Sequence, residues 1–199
     1  EILPGAYVVA HIQLALLLQE KGVPLQDGER TNVYLSNALT GWEPGTQPDL
    51  PMEELQEERD AAGEVKMRTP IWVVIGNPPY NAFAGLAAPE EHGLIEDYKV
   101  GLNTPRSEGG WGIRKFNLDE LFVRFFRIAE RRVFETTGQG VICLITPHSW
   151  VEDPSFVVMR QRFFTRSSDV WIDDLHGDTR ETGKRTPTGE PDPSVFWTP

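Results

Sequence analysis

A single cysteine, Cys143, stands in 199 residues, which excludes an internal disulfide and a cysteine-rich zinc cluster. Four scattered histidines add no metal-ligand spacing, so no metal is expected. No apolar stretch is long enough to span a membrane. The chain opens Glu1-Ile2-Leu3-Pro4, with neither a basic leader nor an initiator Met. The missing Met points to an excerpt from a longer protein, and the single cysteine fits a cytoplasmic setting. Positive charge is also short: 19 Lys and Arg face 30 Asp and Glu, a formal charge of −11. Duplex affinity comes largely from Lys and Arg neutralising phosphates, so this segment is not expected to be a main nucleic-acid-gripping surface.

What is present suffices for one domain or a piece of a larger one, with 39% hydrophobic residues. The charge is uneven. Glu53, Glu54, Glu57, Glu58, Asp60 and Glu64 make an acidic helical patch, whereas Arg106, Arg114, Lys115, Arg180, Lys184 and Arg185 fall in loops.

The pattern alternates helices and strands. An almost continuous apolar run from Ala6 to Lys21 predicts a buried helix, stopped by Gly22 and Pro24. A short strand is expected over 32–37 and a loop over 38–42. A Pro- and Gly-rich linker with an acidic helix then forms an insertion over 43–70. The run Ile71-Trp72-Val73-Val74-Ile75-Gly76 reads as a buried strand. A long loop is expected over 81–116, and Asn117 or Asp119 then caps a strong helix over 118–134. Arg124, Arg127, Arg131 and Arg132 read as its solvated face. A strand over 141–146, with Cys143 as a buried inert thiol, precedes a helix over 154–165. Further strands are expected over 169–175 and 194–197. Such alternation implies an α/β fold around a largely parallel sheet.

The most informative residues are Asn77-Pro78-Pro79-Tyr80, directly after the strand over 71–76. Two prolines forbid the strand's continuation, since each fixes φ and removes a ladder donor. A stiff, polar-tipped turn results at the carboxyl end of a strand, where open α/β sheets bind ligands. It offers an amide oxygen, proline carbonyls and an aromatic ring. Together these can accept hydrogen bonds from a planar amino group while stacking on the ring that carries it. The plainer alternative is a Pro-Pro turn that only ends a strand, with Asn77 as its cap.

That tetrad resembles the catalytic motif of the S-adenosylmethionine-dependent amino-group methyltransferases, above all the adenine-specific (N6) DNA enzymes. The resemblance implies that Asn77 and the Pro78 carbonyl accept from the exocyclic amine, with Pro79 stiffening the turn. Tyr80 would stack on an adenine flipped out of double-stranded DNA. Glu1-Ile2-Leu3-Pro4, Asn37-Ala38-Leu39-Thr40, the stretch from Val65 to Asn81, that from Asn117 to Arg127, and Asp174-Leu175-His176-Gly177 extend the likeness over most of the chain. They are most similar to the type ISP restriction–modification group, in which methyltransferase, helicase and nuclease share one polypeptide. The implied fold is Rossmann-like and partial, lacking the first strand and its Gly-rich cofactor loop.

Three cofactor contacts follow from the same resemblance. Glu1 stands where an acidic residue accepts from both ribose hydroxyls, against the plainer reading of a surface carboxylate. Asn37 stands where the adenine moiety of S-adenosylmethionine is met, against a simple strand-ending cap. Leu39 or Trp42 would pack on that ring. No acid–base pair is required, and nothing matches the Cys nucleophile of cytosine carbon-5 methyltransferases. With the Gly-rich segment absent, the 199 residues alone are expected to bind S-adenosylmethionine poorly. Recognition, helicase and nuclease regions would lie elsewhere in the parent chain. Two rivals stay open: a methyltransferase acting on protein glutamine or an RNA base, and a methyltransferase-like DNA-binding module without turnover.

Overall fold

The computed structural model describes residues 3–42, 52–80, 91, 93–175 and 188–190. Glu1, the linker over 43–51, the start of the long loop at 81–90, the basic loop residues Arg180, Lys184 and Arg185, and the strand expected over 194–197 lie outside the described residues.

Helix α1 spans Pro4–Glu20. Pro4 suits its first turn, where a missing N–H costs nothing. Its end is a Schellman turn: Gly22 takes φ +78°, with Gly22 N donating to Gln19 O at 3.0 Å and Val23 N to Leu18 O at 2.9 Å. The expected burial does not occur. No residue of α1 is buried, and Ile12 and Leu16 are more than half exposed. Apolar residues run around the whole circumference, so no single face can account for them all. Helix α2, Glu53–Arg68, carries Glu53 and Glu54 in its first turn and Lys66 and Arg68 in its last, the arrangement favoured by the helix dipole.

Strands β1, Val73–Gly76, and β2, Val141–Leu144, form a two-stranded sheet. Val141 N donates to Trp72 O at 2.8 Å and Ile145 N to Gly76 O at 3.0 Å. Both numbers rise together, so the pair is parallel. Gly140 leads into β2 at φ +148°, and a side chain there would collide with the Trp72 carbonyl. In both strands exposed and half-buried residues alternate. Cys143 therefore falls on the exposed side, correcting the expectation of a buried thiol.

The strands expected over 32–37 and 169–175 are not formed. In the first, side chains of neighbouring elements hold the backbone in place of a ladder. Arg30 Nη2 donates to Val33 O at 2.8 Å and Leu35 N donates to Glu58 Oε2 at 3.4 Å. In the second, Val170, Trp171 and Ile172 stay exposed, Trp171 at 92%. Without a neighbouring ladder, an apolar run has no reason to extend as a strand.

The chain folds as two compact units. One comprises 1–73, 84–94 and 124–141; the other comprises 74–83, 95–123 and 142–199. Helix α3, Leu121–Glu130, continues as a π-helical stretch over Arg131–Thr137 and ends at Gly138, φ +78°. Two of the four arginines expected on its solvated face are inside, Arg124 and Arg127 being only 8% and 7% exposed, while Arg131 and Arg132 are half-buried. Arg124 is ion-paired to buried Glu91. Arg127 Nη1 lies 3.0 Å from Glu130 and 2.7 Å from Glu135. On a regular helix a residue eight positions on stands about 80° around the axis. The wider π turn changes that register and returns Glu135 to Arg127.

The other unit has an apolar centre made by Tyr98, Leu102, Leu118, Phe122, Phe156 and Met159. Phe122 and Phe156 meet at 5.7 Å between ring centroids. The loop expected over 81–116 is ordered in its described part. Trp111 N to Gly101 O at 3.0 Å, Ile113 N to Leu102 O at 2.7 Å and Gly112 N to Thr104 O at 2.8 Å close it into a compact excursion. Helices α4, Ser149–Glu152, and α5, Val157–Arg166, complete this unit. Asp153 Oδ1 accepts from Ser155 N at 2.7 Å at the turn between them.

Candidate functional site

Strand β1 delivers Asn77-Pro78-Pro79-Tyr80 at its carboxyl end, as the residues require. Pro78 is buried, while Asn77, Pro79 and Tyr80 are exposed. The turn thus has a buried hinge and an open rim.

The structure brings Asn77 and Tyr80 together directly. The Tyr80 hydroxyl donates to Asn77 Oδ1 at 2.6 Å, a strong bond for a neutral pair. It links the two ends of the turn through the carboxamide oxygen. Tyr80 keeps 42% of its surface exposed, so a planar ligand can still reach the ring. Its phenol pKa is raised above the usual value by partial burial, so the hydroxyl keeps its proton at neutral pH.

Asn37 and Leu39 lie in the unit formed by 1–73, 84–94 and 124–141. Asn37 Oδ1 accepts from Leu39 N at 2.9 Å, an Asx turn that tolerates no strand continuation. Lys66 then brackets the loop from α2. Its Nζ donates to Ser36 Oγ at 2.6 Å, Asn37 O at 2.7 Å and Thr40 O at 2.8 Å. Sequence reasoning missed Lys66, whose only signal was its place in the last turn of a predicted acidic helix. Trp42 closes the loop, its indole N–H donating to Ala38 O at 2.8 Å. Lys66 and Arg132 lie over the Trp42 ring, 5.7 and 4.8 Å from its centroid. Burial and the neighbouring Arg131 lower the Arg132 pKa.

The donor set tests what this loop could hold. With its oxygen engaged, exposed Asn37 presents its NH2, which suits a ring-nitrogen acceptor such as that of an adenine. Leu39 is 6% exposed, so its side chain packs beneath the loop. Glu1 lies outside the described residues. Among the described residues no group of His, Cys, Asp and Glu could hold a metal ion. No helix among them is long and apolar enough to cross a membrane.

No protein-family model matches the chain, and no curated protein matches it. Solved structures do. One, the cryo-EM structure of the DrdV–DNA complex, is 22% identical with a TM-score of 0.51. The match covers 67% of this chain and 13% of the DrdV chain. At that identity the likeness concerns the fold, and this chain spans about an eighth of the polypeptide it matches.

Proposed function

We propose that this chain is part of an S-adenosylmethionine-dependent DNA methyltransferase acting on the N6 amine of adenine, within a restriction–modification protein. The carrying observation is the corner at the end of β1. There a carboxamide oxygen, a proline carbonyl and an aromatic ring with an open surface stand within one four-residue turn. Similarity of fold to part of a protein solved in complex with DNA supports the choice of substrate class. The parallel pair β1–β2 is read as two strands of a Rossmann-like sheet.

In this reading Asn77 Oδ1 and the Pro78 carbonyl accept the two amine hydrogens, and Tyr80 stacks on the flipped base. The nitrogen lone pair then points away from both acceptors. S-adenosylmethionine supplies a methyl carbon bonded to positively charged sulfur. Bound beside this corner it would donate that methyl group to the amine nitrogen, which would give up a proton to water. Asn77 and Pro78 favour the transition state because their acceptors meet hydrogens on a nitrogen that is gaining positive charge. Asn37 would hold the adenine portion of the cofactor from the loop that Lys66 braces. Recognition, helicase or nuclease regions belong to the rest of the parent chain.

The test is methylation of plasmid DNA by the full-length protein, read as N6-methyladenine in a nucleoside digest. Asn77→Ala is expected to lower the rate by about 100-fold or more. Undiminished methylation in that variant overturns the site. Methyl transfer to RNA or protein in place of DNA overturns the substrate.

A further inference from the structure

The Tyr80 hydroxyl donates to Asn77 Oδ1 at 2.6 Å, and Asn77 Oδ1 is the atom that, on the function proposed above, receives the substrate amine. We infer that the hydroxyl is an internal stand-in for that amine, a gate that the target base displaces when it stacks. Tyr80 then has two separable parts. Its ring binds the base, and its hydroxyl opposes binding until it is exchanged.

The geometry carries the exchange. A phenol O–H lies in the plane of its ring by conjugation, so an acceptor bonded at 2.6 Å sits close to that plane. A base stacked on the ring lies about 3.5–4.0 Å above it. A hydrogen bond from the base's amine requires about 2.7–3.2 Å. An oxygen held in the ring plane is thus too low to serve a stacked base. For Asn77 to accept from the amine its oxygen rises out of that plane, and the bond to Tyr80 loosens. One donor replaces another at nearly equal cost, while Asn77 is never left with an unfilled acceptor. Before the base arrives, the bond also fixes the carboxamide with its oxygen turned to the ring.

Tyr80→Phe keeps the ring and removes the gate. In the full-length protein, with plasmid DNA as substrate and labelled S-adenosylmethionine as donor, KM for DNA is expected to fall. The drop should be about two- to tenfold, the net worth of one neutral hydrogen bond. kcat should fall by less than the KM does, so that kcat/KM rises. A purely structural hydroxyl would lower both stability and kcat, with no gain in KM. Unchanged or raised KM in Tyr80→Phe, beside an active wild type that Asn77→Ala silences, overturns the gate and leaves the proposed function standing. A wild type that transfers no methyl group to DNA overturns both.

Discussion

The two units solve the problem of polar groups in opposite ways. In the unit that holds most of α3, charge is buried and consumed internally. Arg124 is ion-paired to Glu91, and Arg127 lies between Glu130, which is 0% exposed, and Glu135. In the unit built around Phe122 and Phe156 the centre is apolar, and the polar corner Asn77–Tyr80 stands at its rim. A buried ion pair is a commitment, since neither partner can leave without stranding the other. An exposed neutral pair is exchangeable, because water or a ligand can replace either member at small cost. The first arrangement suits a scaffold and the second suits a binding site.

Breaking the charged centre should give the largest effect. Glu130→Ala takes a fully buried carboxylate away from Arg127 and is expected to cost about 3–5 kcal/mol, measured by urea unfolding. The double replacement Arg127→Met with Glu130→Leu should cost far less than that single change, because it removes the buried charge along with its partner. If the single change costs under about 1 kcal/mol, water reaches the cluster and the contrast between the units fails. The apolar centre should respond by volume. Leu102→Ala is expected to cost about 2–5 kcal/mol, with no rescue by any second polar substitution. Lys66→Met tests a bracket of intermediate kind: three acceptors in the 36–40 loop lose one donor, and the expected cost is about 1–3 kcal/mol.

Local chemistry made some of this legible in the sequence and hid the rest. The Pro-Pro turn after β1 and the close of α1 at Gly22 each depend on residues adjacent in the chain. Those positions were readable. The burial of Arg124 and Arg127 was not. Their partners Glu91 and Glu135 lie 33 and 8 positions away, and the π register that recruits Glu135 leaves no mark in an apolar periodicity. The strand expected over 32–37 failed for a similar reason. Its β-branched and aromatic residues suit a ladder, but the backbone groups are taken by Arg30 and Glu58. In the candidate site, Asn77 and Tyr80 were found as separate functions. Their bond to each other was not foreseen, although the three-residue spacing across a turn permits it. Glu1 falls outside the described residues, and Leu39, named with Trp42 for the cofactor ring, is 6% exposed.

The smallest effect belongs to a charged pair that resembles the buried ones in chemistry but not in setting. Arg30 and Glu58 are ion-paired, with the arginine side chain 46% exposed and the carboxylate 15%. The Arg30 guanidinium holds the Glu58 carboxyl below its usual pKa, and the Leu35 N–H adds to that, against a smaller opposing push from burial. A depressed carboxylate stabilises the folded state fully above its unfolded value of about 4.3. The stabilisation is lost as pH falls through the lower folded value. Glu58→Gln should therefore be less stable than the wild type by about 0.5–1 kcal/mol at pH 7. The two unfolding curves should converge on acidification below about pH 4. A difference that persists unchanged at acid pH would mean that Glu58 acts through packing or neutral hydrogen bonding. The pair would then belong with the charged scaffold, where loss of a partner matters whatever the solvent does.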